Sequence, residues 1–239
     1  EKTMLKISHF SKSYDSRHKA VDDLSLEVCS GDIFAFIGHN GAGKTTTLKA
    51  VVGILPFEEG TIKIDDLDIN EYPLEVKKRL AYIPDEPKLY DMQTGAQYLN
   101  FIADIDVNAA DRRERIEKYA ELLEIRKALN DPINSYSHGM KQKLQIISAF
   151  IHNPKLMVMD EPFVGLDPKA AFSFKQLMRE FCENGGAIFF STHVLEVAEK
   201  LCDKVAVIKG GKLIASGTMD EVKGDSSLEE VFLELTEHE

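Results

Sequence analysis

The sequence predicts an α/β fold with a mixed, largely parallel sheet, and two observations lead to this prediction. Short runs of apolar residues, such as IFAFIG (33–38) and LMVMD (156–160), are typical of strands buried on both faces. Segments with helical periodicity separate these runs, and strands that alternate with helices form parallel sheets covered by helices. The chain has 239 residues, of which 44% are hydrophobic, so it can bury a sizeable core.

The first third of the chain is predicted to contain mainly strands and turns, with an antiparallel β region at its N-terminal end. Apart from IFAFIG, the expected strand segments are MLKISHFSKSY, LSLEV, TIKID and AYIP (81–84). A helix is expected from Lys44 to about Leu55, because Pro56 cannot continue a helix.

Helical patterns dominate the middle of the chain. In DRRERIEKYAELLEI (111–125), apolar residues recur three and four positions apart, as in an amphipathic helix. These residues are Ile116, Tyr119, Ala120, Leu122 and Leu123. We therefore expect a helical subdomain at about 89–155, inserted into one domain (1–239) whose core is formed by 1–88 and 156–220.

Strands and helices alternate again after residue 155. IFFST (188–192) and KVAVI (204–208) are apolar enough to be buried strands, and KVAVI can form a hairpin with KLIASG. Asp167 can cap a helix that has Pro168 at its first position and that ends at Gly185–Gly186.

The last twenty residues are strongly acidic. From Asp220 onward there are eight acidic residues and one lysine, which predicts an acidic C-terminal helix at about 220–239 with a solvated face. Four residues of SLEEVFLEL (227–235) form an apolar stripe that would pack on the core. They are Leu228, Val231, Phe232 and Leu235.

Composition excludes several classes of function. The net charge of −11 argues against a nucleic-acid backbone as the main ligand. No apolar run approaches the roughly 20 residues that span a bilayer, and no signal-peptide pattern is found, so a membrane role requires a partner. Cys29, Cys182 and Cys202 lack zinc-ligand spacing, and we expect them to be structural thiols in a reducing compartment.

The segment GHNGAGKT (38–45) matches the phosphate-binding pattern G-x-x-x-x-G-K-[ST]. A predicted strand precedes it and a predicted helix follows, and this context disfavours a chance glycine-rich turn. Its backbone amides can surround phosphates, Lys44 can reach the β- and γ-phosphates, and the Thr45 hydroxyl can bind Mg²⁺. The predicted nucleotide-binding residues here are Gly38, His39, Asn40, Gly41, Ala42, Gly43, Lys44, Thr45 and Thr46.

Two acidic residues end the apolar strand LMVMD. We expect this strand beside the phosphate-loop strand, where Asp160 can bind Mg²⁺ and Glu161 can orient or deprotonate the attacking water. The alternative is an ordinary pair of strand-end acids before Pro162. The phosphate loop in the same chain favours catalysis.

With these residues identified, the chain resembles the nucleotide-binding subunits of ATP-binding cassette (ABC) transporters. The resemblance covers nearly the full length and keeps the family's motif order. VGLDP (164–168) is similar to the D-loop, STH (191–193) to the switch-histidine motif, and SYSHGM (135–140) stands where the family has its Leu-Ser-Gly-Gly-Gln signature. The resemblance implies a P-loop NTPase (ABC ATPase) core that binds ATP and Mg²⁺.

The family resemblance also implies a head-to-tail dimer. This arrangement explains why SYSHGM, with a serine and a glycine at the start of a predicted helix, can be a second phosphate-binding motif although it has no lysine. Ser137 and Gly139 would close over the ATP held by the phosphate loop of a second ATPase subunit. The implied catalytic residues are Glu161, His193 and Lys44, with His193 contacting the γ-phosphate.

An aromatic residue is expected to stack on adenine, because the family places one before the phosphate loop. Tyr14 stands at that place, and Phe10 is the weaker candidate. The alternative is that Tyr14 is a strand-end aromatic that packs on the core.

Two positions depart from the family pattern. In the signature, His138 replaces a glycine and Met140 replaces the glutamine; we expect His138 to be a tolerated variant that faces away from ATP. After AYIP, Asp85 stands where the family has the Q-loop glutamine. A carboxylate only accepts hydrogen bonds, but it can bind Mg²⁺. We expect Asp85 to alter coupling to the membrane partner without abolishing hydrolysis.

The resulting functional prediction is an ATPase subunit that couples ATP-driven dimer closure to a separate transmembrane permease, at the inner face of the cell membrane. The ending SLEEVFLEL is similar to that of ATPases of ABC-2-type exporters, which favours export over import. The alternative is a soluble ABC ATPase such as an iron–sulfur assembly factor. A small-molecule kinase or GTPase is disfavoured, because no Asn-Lys-x-Asp motif is present and SYSHGM would be unexplained.

Overall fold

A computed structural model describes residues 1–105 and 111–237, which form two sheets and nine α-helices within these ranges. The strands are β1 (Thr3–Ser13), β2 (Lys19–Cys29), β3 (Ile33–Ile37), β4 (Glu59–Ile64), β5 (Leu67–Asp68), β6 (Leu80–Ile83), β7 (Leu156–Asp160), β8 (Ala187–Thr192), β9 (Lys204–Lys209) and β10 (Lys212–Thr218). The helices are α1 (Lys44–Val51), α2 (Pro73–Lys77), α3 (Gly95–Ile105), α4 (Arg112–Leu122), α5 (His138–Ile151), α6 (Pro168–Glu183), α7 (Leu195–Leu201), α8 (Met219–Lys223) and α9 (Leu228–Glu237).

The six-stranded sheet has the order β10-β9-β3-β8-β7-β6, and all its neighbouring pairs are parallel except the β9–β10 hairpin. The predicted α/β class with a mixed, largely parallel sheet is therefore confirmed. The expectation that β7 lies beside β3 is wrong, because β8 lies between them. Every residue of β8 is buried, and such a strand fits the centre of a covered sheet as well as β7 does.

The smaller sheet is antiparallel, with the order β2-β1-β4-β5, as predicted for the N-terminal region. It packs on one face of the parallel sheet. Leu5 and Ile7 of β1 share a buried apolar cluster with Phe36 of β3 and Phe189 of β8. This packing fixes the start of the chain against the strand that leads into the phosphate loop.

Three helices, α3, α4 and α5, lie between β6 and β7 in the chain and pack on one another. Ile116, Ala120 and Leu123 are buried as the periodicity predicts, and Tyr119 packs on Phe150 with 5.6 Å between ring centroids. Leu122 is the exception, because it lies on the exposed side of α4.

Two predicted helix boundaries are wrong. Helix α1 ends at Val51 and not near Leu55, because the amides of Ile54 and Leu55 both donate to the carbonyl of Lys49 and turn the chain before Pro56. The acidic end forms two helices, α8 and α9, with Gly224 after the first. The predicted cap of α6 is confirmed, since the Asp167 carboxylate accepts from the amide of Ala170 at 2.9 Å.

The carboxylate of Asp65, in the β4–β5 turn, joins the two sheets. It accepts hydrogen bonds from Lys155 at 2.7 Å, from Arg79 at 3.1 Å and from Lys2. Lys2 precedes β1 of the antiparallel sheet, whereas Arg79 and Lys155 precede two strands of the parallel sheet. Only 7% of the Asp65 side chain is exposed, so the carboxylate of this ion cluster is shielded from water.

Within the described ranges, no helix has both the length and the apolar character needed to span a bilayer. The cysteines are free thiols, with Cys182 and Cys202 buried.

Candidate nucleotide-binding site

The phosphate loop connects β3 to α1 and ends at Gly43, which has a left-handed φ of 110°. A β-carbon there would lie 2.6 Å from the Ala20 carbonyl oxygen, so the position favours glycine for space as well as for φ. Helix α1 begins at the next residue, Lys44, and directs its positive N-terminal end towards the loop. The loop and helix thus present an anion-binding surface.

Lys44 is buried, and its ammonium group donates to the carbonyl of Gly38 at the start of the loop. Burial lowers the pKa of Lys44, while Glu161 and Asp160 act in the opposite direction. The Glu161 carboxylate oxygen Oε1 lies 3.9 Å from the ammonium nitrogen. Two acids therefore compensate a buried cation that faces the loop.

The Asp160 carboxylate, at the end of β7, is held on both oxygens. The Thr45 hydroxyl donates to Oδ2 at 2.8 Å, and the Ser191 hydroxyl of β8 donates to Oδ1. Ser191 is fully buried and was not predicted as a site residue. The signal was present in the sequence, because a hydroxyl residue inside the apolar run IFFST needs a partner once it is buried.

Glu161 follows β7 with a left-handed backbone, φ 47°, which is uncommon for a residue other than glycine. Its amide donates to the Ser191 carbonyl oxygen at 3.1 Å. Its carboxylate oxygen Oε1 lies 2.8 Å from Nδ1 of His193. The local turn lets the consecutive side chains of Asp160 and Glu161 reach Thr45 and His193, respectively, although side chains of a regular strand alternate between faces.

The residues predicted to bind Mg²⁺ provide oxygen atoms at the loop. Thr45 and Asp160 are in direct contact, and Asp85 lines the same cleft. Burial raises the pKa of Asp85, and the negative charges of Asp160 and Glu86 add to this effect. A divalent cation would reduce the repulsion between the Asp85 carboxylate and these neighbouring negative charges. Among the described residues no group of three or more His, Cys, Asp or Glu side chains forms a metal site, but Mg²⁺ needs few protein ligands beside phosphates and water.

Tyr14 stands at the open side of the loop with 65% of its surface exposed, and its hydroxyl lies 3.1 Å from that of Thr46. It does not pack in the core, so the alternative interpretation of this residue is wrong. Phe10 is fully buried and packs edge-on against Phe57 with 5.2 Å between ring centroids. Tyr14 is thus the aromatic residue of this pair that a base could reach.

Most predicted site residues line one cleft. Its lining residues are Tyr14, Ala20, Asn40, Gly41, Gly43, Lys44, Thr45, Thr46, Asp85, Asp160 and Glu161. The predicted residues outside that lining are Gly38, His39, Ala42, Ser137, Gly139 and His193. His193 joins the cleft through Glu161, whereas the His39 ring packs against Phe232 of α9 with 4.9 Å between ring centroids.

The signature segment forms the N terminus of α5. The exposed Ser137 caps this helix, its hydroxyl accepting from the Met140 amide at 3.2 Å. The His138 ring lies over Gly165, since a β-carbon on that glycine would be 2.6 Å from ring atom Cδ2. The described structure therefore presents Ser137 at the surface, apart from the cleft of its own chain.

Known proteins are similar to this chain in sequence and in fold. A family model described as "ABC transporter" matches residues 21–164. The uncharacterized ABC transporter ATP-binding protein YxlF of Bacillus subtilis (strain 168) is 37% identical over 223 residues, which are 92% of this chain and 72% of that protein. The lipopolysaccharide export system ATP-binding protein LptB of Escherichia coli (strain K12) is 33% identical, with 96% of each chain covered.

A solved structure described as the ATP binding subunit of an ABC transporter superimposes with a TM-score of 0.93, at 33% identity, covering 98% of this chain and 99% of that chain. Sequence, fold and motif order agree. The chain therefore belongs to the ABC transporter family, as an ATP-binding subunit with ATPase activity.

Proposed function

We propose that this ATPase subunit pairs head to tail with a second ATPase subunit when ATP binds, and that closure of the pair drives a separate transmembrane permease. The observation that supports the pairing is the position of Ser137. It caps an exposed helix N terminus and lies outside the cleft that contains Lys44. A helix N terminus favours a phosphate, and the ATP of a second subunit can supply one.

Within each cleft we propose the following division of roles. Glu161 accepts the proton of the attacking water, and His193 holds the Glu161 carboxylate by their 2.8 Å contact. Lys44 and the amides of the phosphate loop bind the phosphates, while Tyr14 stacks on adenine. Thr45, Asp160 and Asp85 would hold Mg²⁺, which neutralises charge on the phosphates when bound.

The proposed pairing is tested with the variant Glu161→Gln, which should bind ATP but hydrolyse it slowly. The measurement is the mass of the chain in solution with and without Mg-ATP. We expect a shift from monomer to dimer with Mg-ATP. Adding Ser137→Ala should weaken the dimer, whereas the matched control Ser135→Ala, at an exposed serine of the same segment that does not cap α5, should not. A chain that binds ATP and stays monomeric would contradict self-pairing.

An exposed aromatic patch formed by Tyr90 and Phe101 supports a permease as partner. Tyr90 and Phe101 are both exposed and pack edge to face with 6.2 Å between ring centroids. Met92, which follows closely in the sequence, is 89% exposed. Exposed apolar side chains that lie together mark interaction sites. We propose that a cytoplasmic helical segment of the permease covers this patch and holds the ATPase at the inner face of the cell membrane.

The permease contact is tested by producing the chain with and without a permease encoded beside its gene. We expect the chain to sediment with membranes when that permease is present. Phe101→Ser should release it, and the control Leu233→Ser, which changes an exposed apolar residue on α9, should not. If the chain stays in the soluble fraction even when the permease is produced with it, the result would favour the iron–sulfur assembly type of ATPase.

Export is our proposed direction of transport. Two observations support it: the SLEEVFLEL ending is similar to that of ATPases of ABC-2-type exporters, and the relative LptB is named as part of an export system. The test compares cells that produce the wild-type transporter with cells that produce Glu161→Gln. Export predicts a lower cellular content of some compound in the wild-type cells and a higher content in the medium, and import predicts the reverse.

A further inference from the structure

A buried glutamine on α5 contacts the segment that follows the proposed catalytic glutamate. Gln142 is 1% exposed, and its amide nitrogen donates to the carbonyl oxygen of Pro162 at 2.9 Å. Pro162 is buried as well and directly follows Glu161. A buried carbonyl needs a donor, and Gln142 supplies it from a helix that is distant in the sequence.

Two further contacts hold the start of α5 against the loop at residues 161–167. The Lys143 ammonium lies 3.2 Å from the Asp167 carboxylate. A β-carbon on Gly139 would lie 2.5 Å from the carbonyl oxygen of Gly165, so the two backbones nearly touch. The first two turns of α5 therefore contact this loop at Pro162, Gly165 and Asp167. Of these three loop residues, Pro162, which Gln142 contacts, is the one adjacent to Glu161 in the sequence.

We propose that Gln142 is a positioning residue that couples the two ATP sites of the dimer. This inference rests on the proposed function, in which the N terminus of α5 binds the ATP of the second subunit. The other end of the coupling is Glu161, which faces the ATP of its own subunit. When Ser137 engages a phosphate, α5 takes a defined position, and the hydrogen bond from Gln142 transfers that position to Pro162 and Glu161.

The backbone of Glu161 makes this support necessary. Its φ of 47° is one that neighbouring structure must impose on a residue other than glycine. The Ser191 carbonyl holds its amide on one side, and Gln142 holds the following residue on the other. Without Gln142, the backbone that follows Glu161 loses one of the contacts that fix the position of the Glu161 carboxylate relative to His193.

The test uses Gln142→Met, which keeps the length of the side chain but removes the donor. Its matched control is Gln145→Met, a second buried glutamine on α5, whose side-chain oxygen has no hydrogen-bond partner among the described residues. We expect the kcat for ATP to fall by roughly 10- to 100-fold in Gln142→Met, because small misplacements of a catalytic group cost this much. The KM and the binding of a fluorescent ATP analogue should stay within about twofold of wild type, since Gln142 does not contact the nucleotide.

A third readout separates positioning from general destabilisation. In the Glu161→Gln background, Gln142→Met should still dimerise with Mg-ATP, because it leaves the phosphate-binding groups in place. A kcat within about twofold of wild type, or an equal fall in Gln145→Met, would overturn the inference. If Gln142→Met does not fold, Gln142→Asn keeps a buried amide with shorter reach and must show the same loss of kcat. If Glu161→Gln alone does not dimerise with Mg-ATP, the result counts against the proposed function. If Glu161→Gln dimerises but Gln142→Met keeps the kcat of wild type, the result counts against this inference alone.

Discussion

Replacement of Asp65 by asparagine should lower the free energy of unfolding by removing the ion cluster between the two sheets, without changing the backbone. Asparagine tolerates the left-handed φ of 49° at this turn, and it has nearly the same shape. It lacks the negative charge that attracts Lys2, Arg79 and Lys155. The substitution therefore removes the ion cluster and leaves the turn intact.

The size of the effect follows from the pKa of Asp65. Burial raises this pKa, but hydrogen bonds from Lys155, Lys2 and Arg79 lower it more, from an ordinary value of 3.8 to about 2. The difference corresponds to about 2 kcal/mol of stability at neutral pH. Because the pKa is lower in the folded chain, this stability is complete above pH 3.8 and is lost as the pH falls towards about 2, with about half remaining near pH 3.

The assay is urea unfolding followed by circular dichroism, at about pH 7 and at about pH 3. We expect Asp65→Asn to lower the unfolding free energy by about 2 kcal/mol at the higher pH and by about half of that at the lower pH. The control is Asp66→Asn, because Asp66 adjoins Asp65, is also left-handed and is exposed. A loss that is the same at both pH values, or that equals the loss in the control, would refute the reasoning.

Three further predictions concern the cleft. Tyr14→Ala should raise the KM for ATP about tenfold, since stacking contributes on the order of 1–3 kcal/mol. Tyr14→Phe keeps the ring, so its KM should stay near that of wild type. Equal KM values for the two variants would contradict stacking. Ser191→Ala should raise the Mg²⁺ concentration for half-maximal ATPase activity by about 10- to 100-fold, because it leaves the Asp160 carboxylate less fixed; an unchanged Mg²⁺ titration would contradict this role. Asp85→Gln should retain ATPase activity and change its stimulation by the permease, and a variant in which both are unchanged would rule out a coupling role for Asp85.

Features encoded in short segments could be predicted from the sequence. The phosphate loop lies between a strand and a helix as expected, and Asp167 caps α6, because each pattern depends only on neighbouring residues. The same holds for Asp160 and Glu161 at the end of β7. The order of the motifs along the chain was sufficient to identify the family.

Features that depend on distant residues could not be predicted in this way. Two apolar strands look alike in a sequence, so the position of β8 between β3 and β7 had no local signal. The partners of Asp65 and Gln142 come from other parts of the chain. The left-handed turn at Glu161 was also hidden, because glutamate does not favour this conformation.

The contact between Phe232 and His39 gives the protein a place for an optical reporter. The chain contains no tryptophan, so Phe232→Trp would introduce a single indole fluorophore next to the phosphate loop. Its emission spectrum would respond to changes in the surroundings of His39 without an attached dye. Rapid mixing with nucleotide could then record loop rearrangement in real time and separate it from the release of phosphate.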